Sequence, residues 1–162
     1  MDQELFDLAL RTGRALKAHG LMLAAAESCT GGWVGQCVTM VPGSSDWFER
    51  GFVTYTNAAK TEMLGVQPAT LTAHGAVSEQ TVREMVDGAL ARSRAQVALA
   101  VSGVAGPTGG TPQKPVGMVC IGWGVRGDTR RSATFHFGGD RDAVRRQAVI
   151  AALSGVVELL GE

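Results

Sequence analysis

The sequence predicts an α/β fold: a single three-layer α/β/α domain over residues 1–162, with a mixed, mostly parallel sheet and one antiparallel hairpin. Three observations predict it. Short apolar runs of strand length alternate with segments of helical spacing, glycine-rich turns stand at the junctions, and two strand-like runs flank a tight turn in the C-terminal third. With 162 residues and 45% hydrophobic content, the chain can bury roughly 70% of its unfolded surface. No internal repeat or linker-like stretch divides it.

Leu5, Leu8, Ala9, Thr12, Ala15 and Leu16 recur at helical spacing up to Gly20, which ends an opening amphipathic helix. LMLAAAE (21–27) reads as a buried strand, Ser28 to Gly32 as a turn, and WVGQCVTMV (33–41) as a helix stopped by Pro42-Gly43. GFVTYT (51–56) alternates with a strand's period, and Asn57 caps a short helix that runs to Gly65. Val77 to Arg94 is a long helix capped by Ser78, followed by a buried strand over QVALAVSG (96–103). VGMVCIGWGVR (116–126) and RRSATFHF (130–137) flank Gly127-Asp128-Thr129, which suits a hairpin, and the last helix starts at Asp140 or the glycines before it.

Fifteen Lys and Arg balance fifteen Asp and Glu, which disfavours nucleic acid and anionic membrane surfaces as partners. The N-terminus carries acids from its second residue, unlike a secretory signal, and no apolar run approaches the ~20 residues that span a bilayer, so a cytoplasmic location is expected. Three cysteines without a CxxC suggest neither a disulfide framework nor a zinc site, and His19, His74 and His136 lack metal-binding spacing. No metal and no cofactor are expected. Glycine is the outlier, with 22 residues where average usage gives about 11.

Those glycines gather where chemistry is plausible. Glu27-Ser28-Cys29-Thr30-Gly31-Gly32 follows a strand and opens a helix, where free N–H groups of Thr30, Gly31 and Gly32 would hold a developing oxyanion beside a Ser28 nucleophile. The plainer reading is that Ser28 or Thr30 caps the helix. Tyr55-Thr56-Asn57-Ala58-Ala59-Lys60 sits at a second strand-to-helix junction. The chain has twelve arginines and three lysines, and only lysine can shed its proton when desolvated, so Lys60 is either a proton acceptor or a solvated surface lysine. The loop Ser102-Gly103-Val104-Ala105-Gly106-Pro107-Thr108-Gly109-Gly110 is a candidate ligand-binding backbone, but it matches neither a P-loop nor a dinucleotide fingerprint. A Ser28, His136, Asp140 triad is an alternative ranked below serine plus lysine. Arg141, Arg145 and Arg146 could grip one phosphate, and Cys29 at a helix start could itself be acidified.

Taken together, ESCTGG (27–32), YTNAAK (55–60), HGAVS (74–78), SGVAGPTGG (102–110), KPVG (114–117) and FGGDR (137–141) resemble, in this order, the CinA C-terminal domain family, from about residue 5 to 160. The resemblance implies a three-layer α/β fold, homo-oligomers that are commonly dimers, and hydrolysis of the carboxamide of nicotinamide mononucleotide to nicotinate mononucleotide and ammonia. It implies Ser28 as nucleophile, with Tyr55 and Lys60 as proton relay and general base. Asn57, Ser102, Gly103, Gly106, Thr108, Gly109, Gly110 and Arg141 are the expected substrate contacts, with Thr30, Gly31 and Gly32 at the oxyanion. Thr56 stands where the family often has serine, and Met118 where it often has threonine. The contrasting expectation is a module that binds a nucleotide or a partner without catalysis.

Overall fold

Asp2 starts the first helix by accepting a hydrogen bond from the Leu5 amide, and Gly20, at φ +67°, turns the chain out of it. From there the computed structural model, which describes residues 1–128 and 130–162, follows the predicted alternation. The elements are α1 (Gln3–Ala18), β1 (Leu23–Glu27), α2 (Trp33–Val38), a 3₁₀ turn (Ser44–Asp46), β2 (Phe48–Val53), α3 (Asn57–Leu64), α4 (Pro68–His74), α5 (Glu79–Ala91), β3 (Val97–Gly103), β4 (Met118–Val125), β5 (Arg130–His136) and α6 (Arg141–Leu159).

The five strands form one sheet in the order β2-β1-β3-β4-β5. β1 pairs in parallel with β2 and β3, while β3–β4 and β4–β5 are antiparallel, so four of the five strands share one direction and β4 runs against them. The Asp128 amide bonds to the Val125 carbonyl in the β4–β5 turn, and Thr129 of that predicted turn lies outside the described residues.

Both faces of the sheet are covered, which is why β1 and β3 read as unbroken apolar runs. On one face Leu23, Leu99, Ile121 and Trp123 pack against α1, α2 and α6, and the Trp123 indole donates to the Ala152 carbonyl at 2.9 Å. On the other, Ala24, Ala26, Ala98 and Ala100 are all small, so α5 lies close to the sheet through Val82, Met85, Val86 and Ala89. Each fully buried Val, Leu or Met side chain contributes about 1.5–3 kcal/mol.

Four details depart from expectation. β2 covers Phe48–Val53 rather than 51–56, because the main chain leaves β1 after the Glu27–Val53 pair. α2 ends at Val38 rather than 41. The cap of α3 is Thr56, whose hydroxyl accepts from the Ala59 amide, and not Asn57, which is the first helical residue. α4 was not expected: it starts with proline in its first turn and buries no residue, so it has no apolar face to betray it. Ser78 and Asp140 cap α5 and α6 as predicted.

Candidate active site

The chain leaves β1 toward β2 on one side and later returns to β3 on the other, so the carboxyl ends of β1 and β3 border a topological switch point, where open α/β sheets bind ligands. Ser28 is the first residue beyond β1. Its amide donates to Val101 of β3, which fixes its backbone, and its side chain is 7% exposed. Next to it, the Thr54 amide donates to the Glu27 carbonyl at 2.8 Å, tying the end of β2 to the end of β1.

Lys60 enters this junction from α3. The buried positions of that helix are Lys60 and Leu64, four residues apart, so the amine occupies a core-facing position and is 1% exposed. Its Nζ lies 2.9 Å from Ser28 Oγ, 2.9 Å from the Thr54 carbonyl and 3.4 Å from the Tyr55 carbonyl. Two of these neighbours only accept, and the third is a hydroxyl that can donate. Lys60 Nζ donates to the two carbonyls and to Ser28 Oγ, and the Ser28 hydroxyl in turn faces the Tyr55 carbonyl at 3.5 Å, so amine and hydroxyl form one hydrogen-bonded pair. Burial lowers the Lys60 pKa from its ordinary value, and the opposing influence of a Cys29 thiolate is absent at neutral pH, because burial pushes that thiol up to about 11. The surface-lysine reading is therefore replaced by a desolvated amine, and the acidified Cys29 by a buried, protonated thiol.

The cleft in front of this pair has a volume of about 300 Å³. Its walls gather Ser28, Tyr55, Asn57, Lys60, Ser102, Gly103, Gly106, Thr108, Gly109 and Arg141 from the predicted set, with Cys29 beside Ser28. Arg141 spans its rim, donating to the Gly106 carbonyl at 2.7 Å and to the Tyr55 hydroxyl at 3.0 Å. The Tyr55 hydroxyl therefore faces Arg141, and Tyr55 meets Lys60 through its main-chain carbonyl, so the Ser28–Lys60 contact is direct rather than relayed.

Thr30, Gly31, Gly32 and Gly110 are not among the cleft-lining residues. Glu27, 2% exposed, curls back beneath the turn: its carboxyl oxygens accept from the Thr30 hydroxyl and from the Val34 and Gly35 amides, while the Gly31 amide bonds to the Ser28 carbonyl. The start of α2 is filled from within. Gly31 and Gly32, at φ +58° and +103°, serve the turn. The arginine trio is likewise dispersed: Arg145 bonds to the Cys29 and Thr30 carbonyls, and Arg146 pairs with Asp2 and Glu4. His136 is exposed on β5 and does not line the cleft, so the histidine triad is not assembled.

Sequence reasoning missed Ala76 and Val77, which line the cleft from the α4–α5 linker. The motif HGAVS marked that linker without assigning it a role. Lys114 donates to the His74 carbonyl there and fastens the glycine loop to the linker. Gly75 stands at φ +77°, a backbone conformation that side-chain-bearing residues rarely adopt, which accounts for glycine at this position.

A three-layer α/β scaffold that holds a serine hydroxyl against a buried amine beyond the ends of adjacent strands, at the floor of a cleft, is the framework of an α/β enzyme. Residues 5–160 match the CinA C-terminal domain, and the chain belongs to that family. It is 54% identical over 155 residues to the nicotinamide-nucleotide amidohydrolase PncC of Escherichia coli K12, covering 94% of this chain and 92% of that one. Identity to the Pseudomonas putida protein of the same name is 53% over 152 residues, covering 94% of each chain. The crystal structure of the competence/damage inducible protein CihA from Agrobacterium tumefaciens superposes with a TM-score of 0.93 at 44% identity, covering 98% of this chain and 96% of that one. Similarity at this level across nearly whole chains makes this protein an enzyme of the amidohydrolase class. Among the described residues, no helix is long and apolar enough to cross a membrane.

Proposed function

We propose that this protein, as a single catalytic domain over residues 1–162, hydrolyses the carboxamide of nicotinamide mononucleotide to nicotinate mononucleotide and ammonia through a Ser28–Lys60 pair. The observation that carries the reading is the 2.9 Å contact between Lys60 Nζ and Ser28 Oγ, with the amine 1% exposed and held by main-chain carbonyls. The names of the relatives supply the substrate.

In this mechanism neutral Lys60 takes the Ser28 proton as Oγ bonds to the amide carbon. The tetrahedral intermediate collapses with cleavage of the C–N bond, and Lys60 returns the proton to the departing nitrogen, which leaves as ammonia. Water then attacks the serine ester, its proton passing to Lys60. Cleavage of the ester restores the serine hydroxyl and releases the carboxylate. Arg141 and the loop amides near Gly106 to Gly109 receive the phosphate, with Tyr55 beside Arg141 and Asn57 also lining the cleft. The reading takes the protein as a cytoplasmic homodimer, for which light scattering is the check.

The test is ammonia release from nicotinamide mononucleotide by wild type, Ser28→Ala and Cys29→Ala, without added metal. Release by wild type and Cys29→Ala but not by Ser28→Ala is the expected pattern. Ligand-dependent thermal stabilisation of wild type with no ammonia would instead mark a binding module.

A further inference from the structure

The turn that presents Ser28 is gripped from two sides by opposite charges, neither of which reaches the substrate cleft. On the donor side, the buried Glu27 carboxylate binds the Thr30 hydroxyl at 2.6 Å, the Val34 amide at 2.8 Å and the Gly35 amide at 3.1 Å. On the acceptor side, Arg145 of α6 gives Nε to the Cys29 carbonyl and Nη2 to the Thr30 carbonyl, both at 3.0 Å, with its guanidinium 5.4 Å over the Trp33 ring. Every polar atom the two side chains use for this purpose faces the turn.

This expense is out of scale with the element it serves. α2 has six residues, a length at which local hydrogen bonding holds a helix poorly, and two glycines precede it in left-handed conformations. Such a turn would by itself wander by more than the tolerance of a proton transfer. Charge-assisted hydrogen bonds are stronger than neutral ones, and the bidentate geometry of arginine fixes orientation as well as distance. The Glu27 carbonyl also accepts from the Thr54 amide, and the Thr54 carbonyl accepts from Lys60, so the residue that anchors the turn shares main-chain contacts with the residue that anchors the base.

The geometry points to Glu27 and Arg145 as positioning residues for the reaction: a two-sided clamp that holds Ser28 Oγ on the Lys60 lone pair, rests on the reading of Ser28 as nucleophile, and contributes to turnover rather than to substrate affinity. Neither residue touches the reacting atoms.

The experiment compares Glu27→Gln, Arg145→Met and Arg145→Lys with wild type and Ser28→Ala as full chains. Circular dichroism and thermal melting establish folding. Ammonia release gives kcat and KM, and intact mass follows sulfonylation of Ser28 by phenylmethylsulfonyl fluoride, in which the Oγ–S bond forms, fluoride leaves and the proton passes to Lys60. Glu27→Gln and Arg145→Met are expected to lower kcat ~100-fold with KM changed less than about threefold, since a displacement near 1 Å suffices for such a loss. Sulfonylation slows in parallel, although that reagent has no nucleotide to bind. Arg145→Lys, which keeps charge but not the fork, recovers part of the rate.

A purely structural role would lower the melting temperature and leave kcat and sulfonylation per folded molecule unchanged; that result, or a loss confined to KM, overturns the clamp. If Glu27→Gln does not fold, the two Arg145 variants decide, because that side chain is 26% exposed at the surface of α6. Ammonia release by Ser28→Ala would overturn the nucleophile and the clamp with it. An inactive Ser28→Ala beside fully active clamp variants overturns the clamp alone.

Discussion

Two neighbouring strand-to-helix junctions, β1 to α2 and β2 to α3, are built from similar parts and treat charge in opposite ways. At the first, Glu27 is buried and still amply satisfied, by a hydroxyl and two main-chain amides. At the second, Lys60 is buried to the same degree and meets only neutral oxygen atoms. A carboxyl group surrounded by donors holds a shape. An amine denied a carboxylate has its pKa lowered by burial, the direction that the proposed role of Lys60 as base requires.

The difference breaks most completely with Lys60→Met, which is expected to lower kcat by ~10³-fold or more. The same variant sharpens the comparison through pH. The folded-state pKa of Lys60 lies below the ordinary 10.5, so between the two values the unfolded chain holds a proton that the folded one lacks. Lys60 therefore contributes stability that grows with pH up to about 10.5, opposed above about 9 by the buried thiols, whose folded pKa values are raised, and Lys60→Met should remove the Lys60 contribution so that the wild-type-minus-variant difference grows with pH. Urea melts at pH 7, 9 and 10.5 measure the slope, which is the proper readout because methionine also leaves the Thr54 and Tyr55 carbonyls without their donor.

Next in size is Gly88→Ala. A methyl group at Gly88 of α5 would meet the main chain at Leu64, the end of the helix that carries Lys60. A loss of about 2 kcal/mol by denaturant titration is expected, with kcat reduced as α3 is pushed outward and Glu27 left in place. The smallest effect belongs to Cys29→Ala. With the thiol raised to about 11 by burial, it takes no part at neutral pH, so kcat should stay within about threefold and stability fall by about 1 kcal/mol.

The same two junctions show what the sequence could and could not convey. Ser28 and Lys60 are legible as candidates because a rare lysine near a helix start and a serine between strand and glycines each need a reason, and the fold brings the two side chains to 2.9 Å of each other. The sequence does not reveal that the Val34 and Gly35 amides at the start of α2 are taken by Glu27, because a free helix start looks the same in sequence whether or not the preceding side chain curls back into it. Arg141, Arg145 and Arg146 looked equivalent on one segment. Helical geometry turns each to a different neighbour: the cleft rim, the serine turn and the N-terminus of α1. α4 escaped notice because periodicity detects only helices that bury a face. The sheet was readable throughout its buried centre, and least so at β2, an edge strand whose exposed and half-buried residues set no clear boundary.

The β1–β2 register, with Glu27 opposite Val53, sets the Ser28–Lys60 contact on different elements from the glycine-rich cleft wall. On the proposed reading, nucleophile and base are carried by the turn and the helix that follow two adjacent paired strands, whereas much of the cleft wall that would meet the substrate comes from a loop between β3 and β4 that is tied to the rest by Arg141 and Lys114. That loop is free to change in length or composition without disturbing the reacting pair. Lineages built on this plan could thus acquire new amide substrates by altering a single segment, and a library confined to residues 104–116 is the economical place to seek them.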